Sequence, residues 1–151
     1  MFHKALNLEF KEGTSLELTF QTGEVKAYDM AVLFQKYPQL EALKDRKLFL
    51  QGKLMGAYGI IWNDDLDIEA ETIYEDGITV RREPVSINQS VGYAIAEARS
   101  NSGLSQSALA AKTGIDQSDI SKIERGVSNP SISTLGRLVD AMGKSIKISI
   151  Y

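Results

Sequence analysis

Residues 106–125 read QSALAAKTGIDQSDISKIER, and this stretch predicts two short helices joined by a tight turn. Gly114 falls where such a turn needs a positive φ, which is costly for a residue with a Cβ atom. Ala110 is small enough to let the two helices cross closely. Ser105 and Asp116 precede the two helices as N-caps. The apolar positions expected to face inward are Leu109, Ile115, Ile120 and Ile123. These spacings predict a helix-turn-helix.

The pattern stays helical on both sides of this motif, over residues 87–143. Helices are predicted at about 88–101, 106–112, 117–125 and 132–142. A glycine falls where each helix should stop, namely Gly103, Gly114, Gly126 and Gly143. The last residues, 144–151 (KSIKISIY), alternate Ile146, Ile148 and Ile150 and therefore predict a strand. Since a helical domain offers that strand no neighbour, its open edge requires a partner.

The N-terminal half, residues 1–77, follows strand periodicity instead. Leu6, Leu8 and Phe10 alternate in one segment, and Leu16, Leu18 and Phe20 alternate in the next, with Gly13 between them as a hairpin turn. Further strands are predicted at 24–28, 48–51 and 57–62, and helical pieces at 30–36 and 39–45. Asp67 is predicted to cap a helix that runs through Tyr74. Residues 78–86 are predicted to be a linker. The predicted fold class is α+β with two domains, a β-rich N-terminal α+β domain and an all-α bundle with a terminal strand.

The composition of the chain excludes several classes of protein. The chain has 151 residues and no cysteine, so disulfides and thiolate metal sites are excluded. No apolar run approaches the ~18 residues of a membrane-spanning helix. The N-terminus, MFHKALNLEF, lacks the features of a signal peptide, which favours a cytoplasmic protein.

Charge is unevenly distributed along the chain. Residues 1–85 hold 10 Lys and Arg against 15 Asp and Glu, whereas residues 86–151 hold 7 against 5. The weakly basic part, at +2, therefore coincides with the helix-turn-helix. So small a charge predicts weak non-specific binding to nucleic acid at physiological salt.

Three segments in and around the motif carry a family resemblance. IAEARSNSGLSQ, ISKIERG and SNPSISTLGRLVDAMG closely resemble the DNA-binding domain shared by phage Cro and C1 repressors and many bacterial regulators. The resemblance spans residues 87–143. It implies a lambda-repressor-like bundle of about five helices in which residues 117–125 form the recognition helix.

Side-chain roles follow from placing that helix in the major groove of DNA. Its first turn brings Gln117 and Ser118 to the base edges, with Lys122 one turn further on. Glutamine suits adenine and lysine suits guanine. Gln106, at the start of the preceding helix, can hold a phosphate. The resemblance adds three serine or asparagine residues and one arginine beside the second DNA strand: Arg125, Ser128, Asn129 and Ser131. It also implies that Arg99 and Glu124 form a structural ion pair.

The resemblance also bears on the terminal strand. Some antitoxins with this DNA-binding domain end in a short strand that pairs across the dimer axis. The alternative is that residues 144–151 pack on the N-terminal sheet of their own chain, and the sequence favours neither.

Residues 2–77 resemble a small bacterial domain family of unknown function. The segments that carry this resemblance are LTFQTGEVKAYDM and GIIWNDDLDIEAETIY. Family members are often encoded beside toxin-like or regulator segments, which implies an accessory role in binding a partner, dimerising or sensing. The acidic residues Asp64, Asp65, Asp67, Glu69 and Glu71 lack EF-hand spacing, so an acidic turn and first helical turn is favoured over a metal site. Trp62, at a strand end, is more typical of core than of ligand stacking.

The sequence thus predicts a non-enzymatic, sequence-specific transcriptional repressor that needs no cofactor. We expect a homodimer on a roughly palindromic double-stranded DNA operator, without membrane association. An autoregulating antitoxin with a cognate toxin partner is one form of this function. The alternative is a protein-interaction module whose helix-turn-helix does not read DNA, which the +2 charge favours.

Overall fold

The chain forms two compact units, residues 2–84 and residues 85–150, in a computed structural model that describes residues 2–150. The first unit is β-rich and the second is helical, so the predicted α+β class is confirmed. Each unit has its own hydrophobic core.

The N-terminal unit contains two antiparallel sheets. Its strands are β1 Ala5–Phe10, β2 Ser15–Phe20, β3 Glu24–Asp29, β4 Lys53–Met55, β5 Gly59–Asn63, β6 Leu66–Glu69 and β7 Ile78–Arg82. The larger sheet has the order β1-β2-β3-β7, and the smaller has the order β4-β5-β6. Two 3-10 helices, Met30–Leu33 and Pro38–Lys44, and two α-helices, α1 Arg46–Phe49 and α2 Ala70–Asp76, complete the unit.

The predicted alternation holds well in β2 and less well in β1. Leu16, Leu18 and Phe20 are buried in the core. Leu6 is 37% exposed, because the register between β1 and β2 shifts at this residue. Such a bulge turns a side chain away from the face that alternation assigns to it. Trp62 is a core residue, 7% exposed, whose Nε1 donates a hydrogen bond to the Phe49 carbonyl at 2.8 Å.

Three predictions in the N-terminal half were wrong. Residues 48–51 form no strand, because Asp45 caps α1 by accepting a hydrogen bond from the Lys47 N–H at 3.0 Å. Asp67 caps no helix, since it lies inside β6 and pairs with Ile61. The predicted linker begins with β7, which pairs with β3 as an edge strand. All five β7 residues are exposed, so no alternation of burial could mark that strand in the sequence.

The C-terminal unit is built from four helices, α3 Ile87–Asn101, α4 Gln106–Thr113, α5 Gln117–Glu124 and α6 Ile132–Ala141. Its buried core is formed by one apolar face of each, namely Ile95, Leu109, Ile120, Ile123, Leu138 and Val139. All four glycines predicted to end helices have a positive φ. The resemblance implied about five helices. Residues 144–150 form no fifth helix, and their isoleucines alternate with the period of a strand.

The predicted terminal strand is not formed within the chain. Residues 144–150 have no regular secondary structure and belong to neither sheet, and Tyr151 lies outside the described residues. A strand exists only when another strand accepts its backbone hydrogen bonds. Lys144–Ile148 instead line one wall of a shallow apolar cleft beside α3 and α6, which also includes Ala94 and Leu135.

Candidate nucleic-acid interface

The turn between α4 and α5 is formed as the sequence predicts. Ser105 caps α4, its Oγ accepting a hydrogen bond from the Ala108 N–H at 3.0 Å. Gly114 ends α4 with φ 72°, in the left-handed region. Asp116 occupies the N-cap position of α5, but its side chain makes no capping hydrogen bond. The carbonyl of Thr113 accepts a hydrogen bond from Arg137 Nη2 of α6 at 2.5 Å, which ties the end of α4 to the bundle.

Helix α5 has a buried face and an exposed face. Ile120, Ile123 and Glu124 are buried against the other helices. Gln117, Ser118 and Lys122, the residues predicted to contact bases, are all exposed. Ser118 and Lys122 are four residues apart and therefore lie one turn apart on the same side of the helix. The exposed face thus presents an amide, a hydroxyl and an ammonium group.

Gln117 is held by a neighbour that the sequence did not reveal. Ser107, in the first turn of α4, donates a hydrogen bond from its Oγ to Oε1 of Gln117 at 3.0 Å. The two residues are ten positions apart, and only the turn at Gly114 brings their helices together. Polar groups on two predicted helices carry no sequence signal that they meet.

The residues predicted to contact phosphate are distributed around both ends of α5, and four of them have polar partners within the chain. Gln106 Nε2 donates to Glu124 Oε2 at 3.2 Å, and Arg125 Nε donates to the Ser121 carbonyl at 3.3 Å. Asn129 Oδ1 accepts from Asn88 Nδ2 at 2.6 Å. Ser131, the fourth, caps α6 by accepting a hydrogen bond from the Thr134 N–H at 3.0 Å. The fifth phosphate candidate is Ser128, whose Oγ is buried.

Two consequences follow for these phosphate candidates. In the first turns of α4 and α6, the Ala108 and Thr134 N–H groups donate to the cap serines Ser105 and Ser131, and the other N–H groups have no acceptor within their own helices. The buried Oγ of Ser128 cannot reach a phosphate without a change of side-chain rotamer.

Arg99 and Glu124 form a largely buried ion pair. Nη2 of Arg99 lies 2.7 Å from Oε1 of Glu124, and Nε donates to both carboxylate oxygens at 3.0 and 2.9 Å. The side chain of Glu124 is 1% exposed and that of Arg99 is 19% exposed. Nη1 of Arg99 also donates to the Leu104 carbonyl at 2.9 Å. The pair therefore joins α3, the loop before α4, and α5.

Gly92 allows α3 and α5 to approach closely, and the sequence analysis missed it. A Cβ atom at this position would lie 2.7 Å from the Glu124 carbonyl oxygen and still closer to that of Ile123. A glycine in the middle of a helical pattern is the signal that could have indicated this contact.

The acidic residues of the N-terminal unit do not form a metal site in the described chain. Among residues 2–150, no three His, Asp or Glu side chains lie together as metal ligands. Over the same residues, no helix has the length and apolar character required to cross a bilayer.

Two helices joined at a left-handed glycine, with polar side chains exposed on the first turn of the second, define a helix-turn-helix DNA-binding unit. The family model described as Helix-turn-helix (HTH_3) matches residues 95–148. An uncharacterized HTH-type transcriptional regulator of Sinorhizobium fredii, y4dJ, is 40% identical over 55 residues, which cover 36% of this chain and 71% of that protein. The chain therefore belongs to the family of HTH-type transcriptional regulators.

The N-terminal unit belongs to a second family. The model described as Protein of unknown function (DUF2442) matches residues 5–79, which confirms the resemblance to a domain of unknown function.

Two crystal structures are also similar to the chain. An HTH_3 family transcriptional regulator from Vibrio cholerae is 33% identical, with 36% of this chain and 31% of that chain covered and a TM-score of 0.35. The chain thus spans about a third of that regulator's length. A protein from Nitrosomonas europaea is 18% identical, with 91% of this chain and 85% of that chain covered and a TM-score of 0.42.

Proposed function

We propose that this regulator is a sequence-specific repressor that places α5 in the major groove of a roughly palindromic operator. The observation that carries the proposal is the exposed polar face of α5, formed by Gln117, Ser118 and Lys122, on a helix whose opposite face is buried. A recognition helix must combine a buried face that fixes its orientation with an exposed face that reaches base edges. Occupancy of a promoter would then exclude RNA polymerase.

Contacts to the DNA backbone complete the proposal. The first turns of α4 and α6, at Gln106 and Ser131, would each receive a phosphate, and Arg125 and Asn129 would lie beside the second strand. Arg125 is exposed, and one change of side-chain rotamer releases it from the Ser121 carbonyl. Ser128 is the weakest member of the set because its Oγ is buried.

Replacing Gln117 or Lys122 with alanine should weaken operator binding by about 1–3 kcal/mol each and reduce the preference over scrambled DNA, because each change removes a base contact. The measurement is fluorescence anisotropy on the DNA upstream of the gene, titrated across salt concentrations.

Lys53→Ala is the matched control, since it removes the same charge from an exposed residue of the N-terminal unit, outside α4 and α5. It should leave the preference over scrambled DNA unchanged. If the wild type binds neither this promoter nor a pool of genomic fragments, the repressor proposal is wrong. The protein-interaction module, favoured by the small positive charge of residues 86–151, would replace it.

The proposed operator requires two copies of the chain, and residues 144–150 are the segment through which we propose they pair. Ile146, Ile148 and Ile150 are 42%, 68% and 94% exposed. This segment has no regular secondary structure and joins neither sheet of its own chain. Antiparallel pairing of two such segments would satisfy their backbone groups and bury part of the exposed isoleucine surface.

Ile148→Pro should shift the protein from dimer to monomer, because proline removes a strand hydrogen bond and the isoleucine side chain is lost as well. Light scattering after size exclusion measures the change, and cooperative binding to a two-half-site operator should be lost with it. Ile87→Ala, at an isoleucine of α3 that is 82% exposed, is the control. A dimer that persists in Ile148→Pro would place the dimer contact elsewhere.

We further propose that the N-terminal unit controls operator occupancy by binding a partner. A cognate toxin would make the protein an autoregulating antitoxin. This is tested by co-expressing the chain with the protein encoded beside it. A co-purifying neighbour that alters promoter affinity supports the antitoxin role, and a neighbour that neither binds nor is toxic refutes it.

A further inference from the structure

Ser107 is the second residue of α4, the helix that precedes the proposed recognition helix α5. Its hydroxyl reaches across the turn to the first residue of α5, where it donates to Oε1 of Gln117 at 3.0 Å. Both side chains are exposed, so the contact lies at the surface that the proposed function places against DNA. We assign Ser107 no base contact of its own, because its hydroxyl proton is already donated to Gln117.

The hydrogen bond has a chemical consequence for Gln117. A glutamine side chain carries two amide protons as donors and an oxygen with two acceptor sites. With one acceptor site of Oε1 occupied by Ser107, both Nε2 protons and the second acceptor site remain available. That arrangement, a donor beside a single acceptor, complements N7 and N6 of adenine in the major groove.

The hydrogen bond also has an entropic consequence. An exposed glutamine loses side-chain rotamer freedom when it is ordered on a base. Ser107 restricts Gln117 before DNA arrives, so less of that freedom remains to be lost on binding.

We propose that Ser107 is a positioning residue that orients the Gln117 amide for adenine. The inference rests on the proposed function, because it presumes that Gln117 faces a base. Its role is exerted through Gln117 alone. The effects of changing the two residues are therefore not additive.

The test uses the full chain and a pool of randomised duplexes, from which the wild-type protein selects its preferred sequence. On that sequence, Ser107→Ala should weaken binding about 3- to 10-fold, the loss typical of one hydrogen bond. The preference for adenine over the other bases at the position read by Gln117 should fall by the same factor. Ser107→Thr keeps the hydroxyl and should restore both affinity and preference.

A double-mutant cycle separates positioning from a direct contact. In the Gln117→Ala background, Ser107→Ala should change affinity less than twofold, because no amide remains to be oriented. The matched control is Ser133→Ala, which removes an exposed hydroxyl from the same second position of α6. It should leave the adenine preference unchanged.

The outcomes distinguish the inference from the function on which it rests. If the wild type enriches no sequence, both the repressor proposal and this inference are overturned. If it enriches a sequence but Ser107→Ala retains the same adenine preference, only the inference is overturned. A uniform loss on all sequences that persists in the Gln117→Ala background would identify a phosphate contact by Ser107 and also overturn it.

Discussion

Replacing Glu124 with alanine is expected to lower the free energy of unfolding of the helical unit by about 3–5 kcal/mol, because the largely buried Arg99 guanidinium is left without a counter-charge. Glu124 is 1% exposed and receives hydrogen bonds from both Arg99 and Gln106. Its loss therefore leaves two groups without their acceptor. Urea unfolding followed by circular dichroism at 222 nm reports this change, since the longer helices belong to this unit.

Two further variants show whether the loss of stability in Glu124→Ala comes from burial of the unpaired guanidinium or from the removed charge alone. Glu97→Ala removes an exposed carboxylate from α3 and should change the free energy of unfolding by about 0.5 kcal/mol or less. The double variant Arg99→Met/Glu124→Leu replaces the whole pair with apolar side chains and should return close to wild-type stability. If the free energy of unfolding of Glu124→Ala were within about 1 kcal/mol of the wild-type value, the ion pair would contribute little to stability.

Replacing Gly92 with alanine should lower the free energy of unfolding of the same unit by about 3 kcal/mol, at the upper end of overpacking effects. The added Cβ atom would lie 2.7 Å from the Glu124 carbonyl oxygen, and the backbone there cannot rotate away as a side chain could. Helices α3 and α5 must therefore separate, which also strains the Arg99–Glu124 pair. Thermal unfolding by circular dichroism measures the effect.

The control for Gly92 is Gly136, which lies within α6. A Cβ atom built there meets nothing within 4 Å outside its own helix. Gly136→Ala should therefore stabilise the unit by about 0.5–1 kcal/mol, the ordinary gain in helix propensity. The same glycine-to-alanine change is therefore expected to lower the free energy of unfolding at position 92 and to raise it at position 136. If Gly92→Ala also stabilised the protein, the close approach of α3 and α5 would be refuted.

Much of the helical unit is determined by local sequence. Ser105 and Gly114 act through the conformation of their own neighbourhood, a cap at the start of α4 and a positive φ at its end. Ile120 and Ile123 lie three residues apart, the spacing of one helix face, so their burial also follows from the sequence. These local signals were sufficient to place α4, α5 and the turn between them.

Only the tertiary structure decided the features that depend on distant pairing. The exposed edge strand β7 exists because it pairs with β3. Helix α1 forms where a strand was predicted, because Asp45 caps this helix and Phe49 packs in the core. The contacts of Ser107 with Gln117 and of Gly92 with α5 depend on how helices cross. A single sequence records period and local conformation directly, whereas partners far apart along the chain become neighbours only after folding.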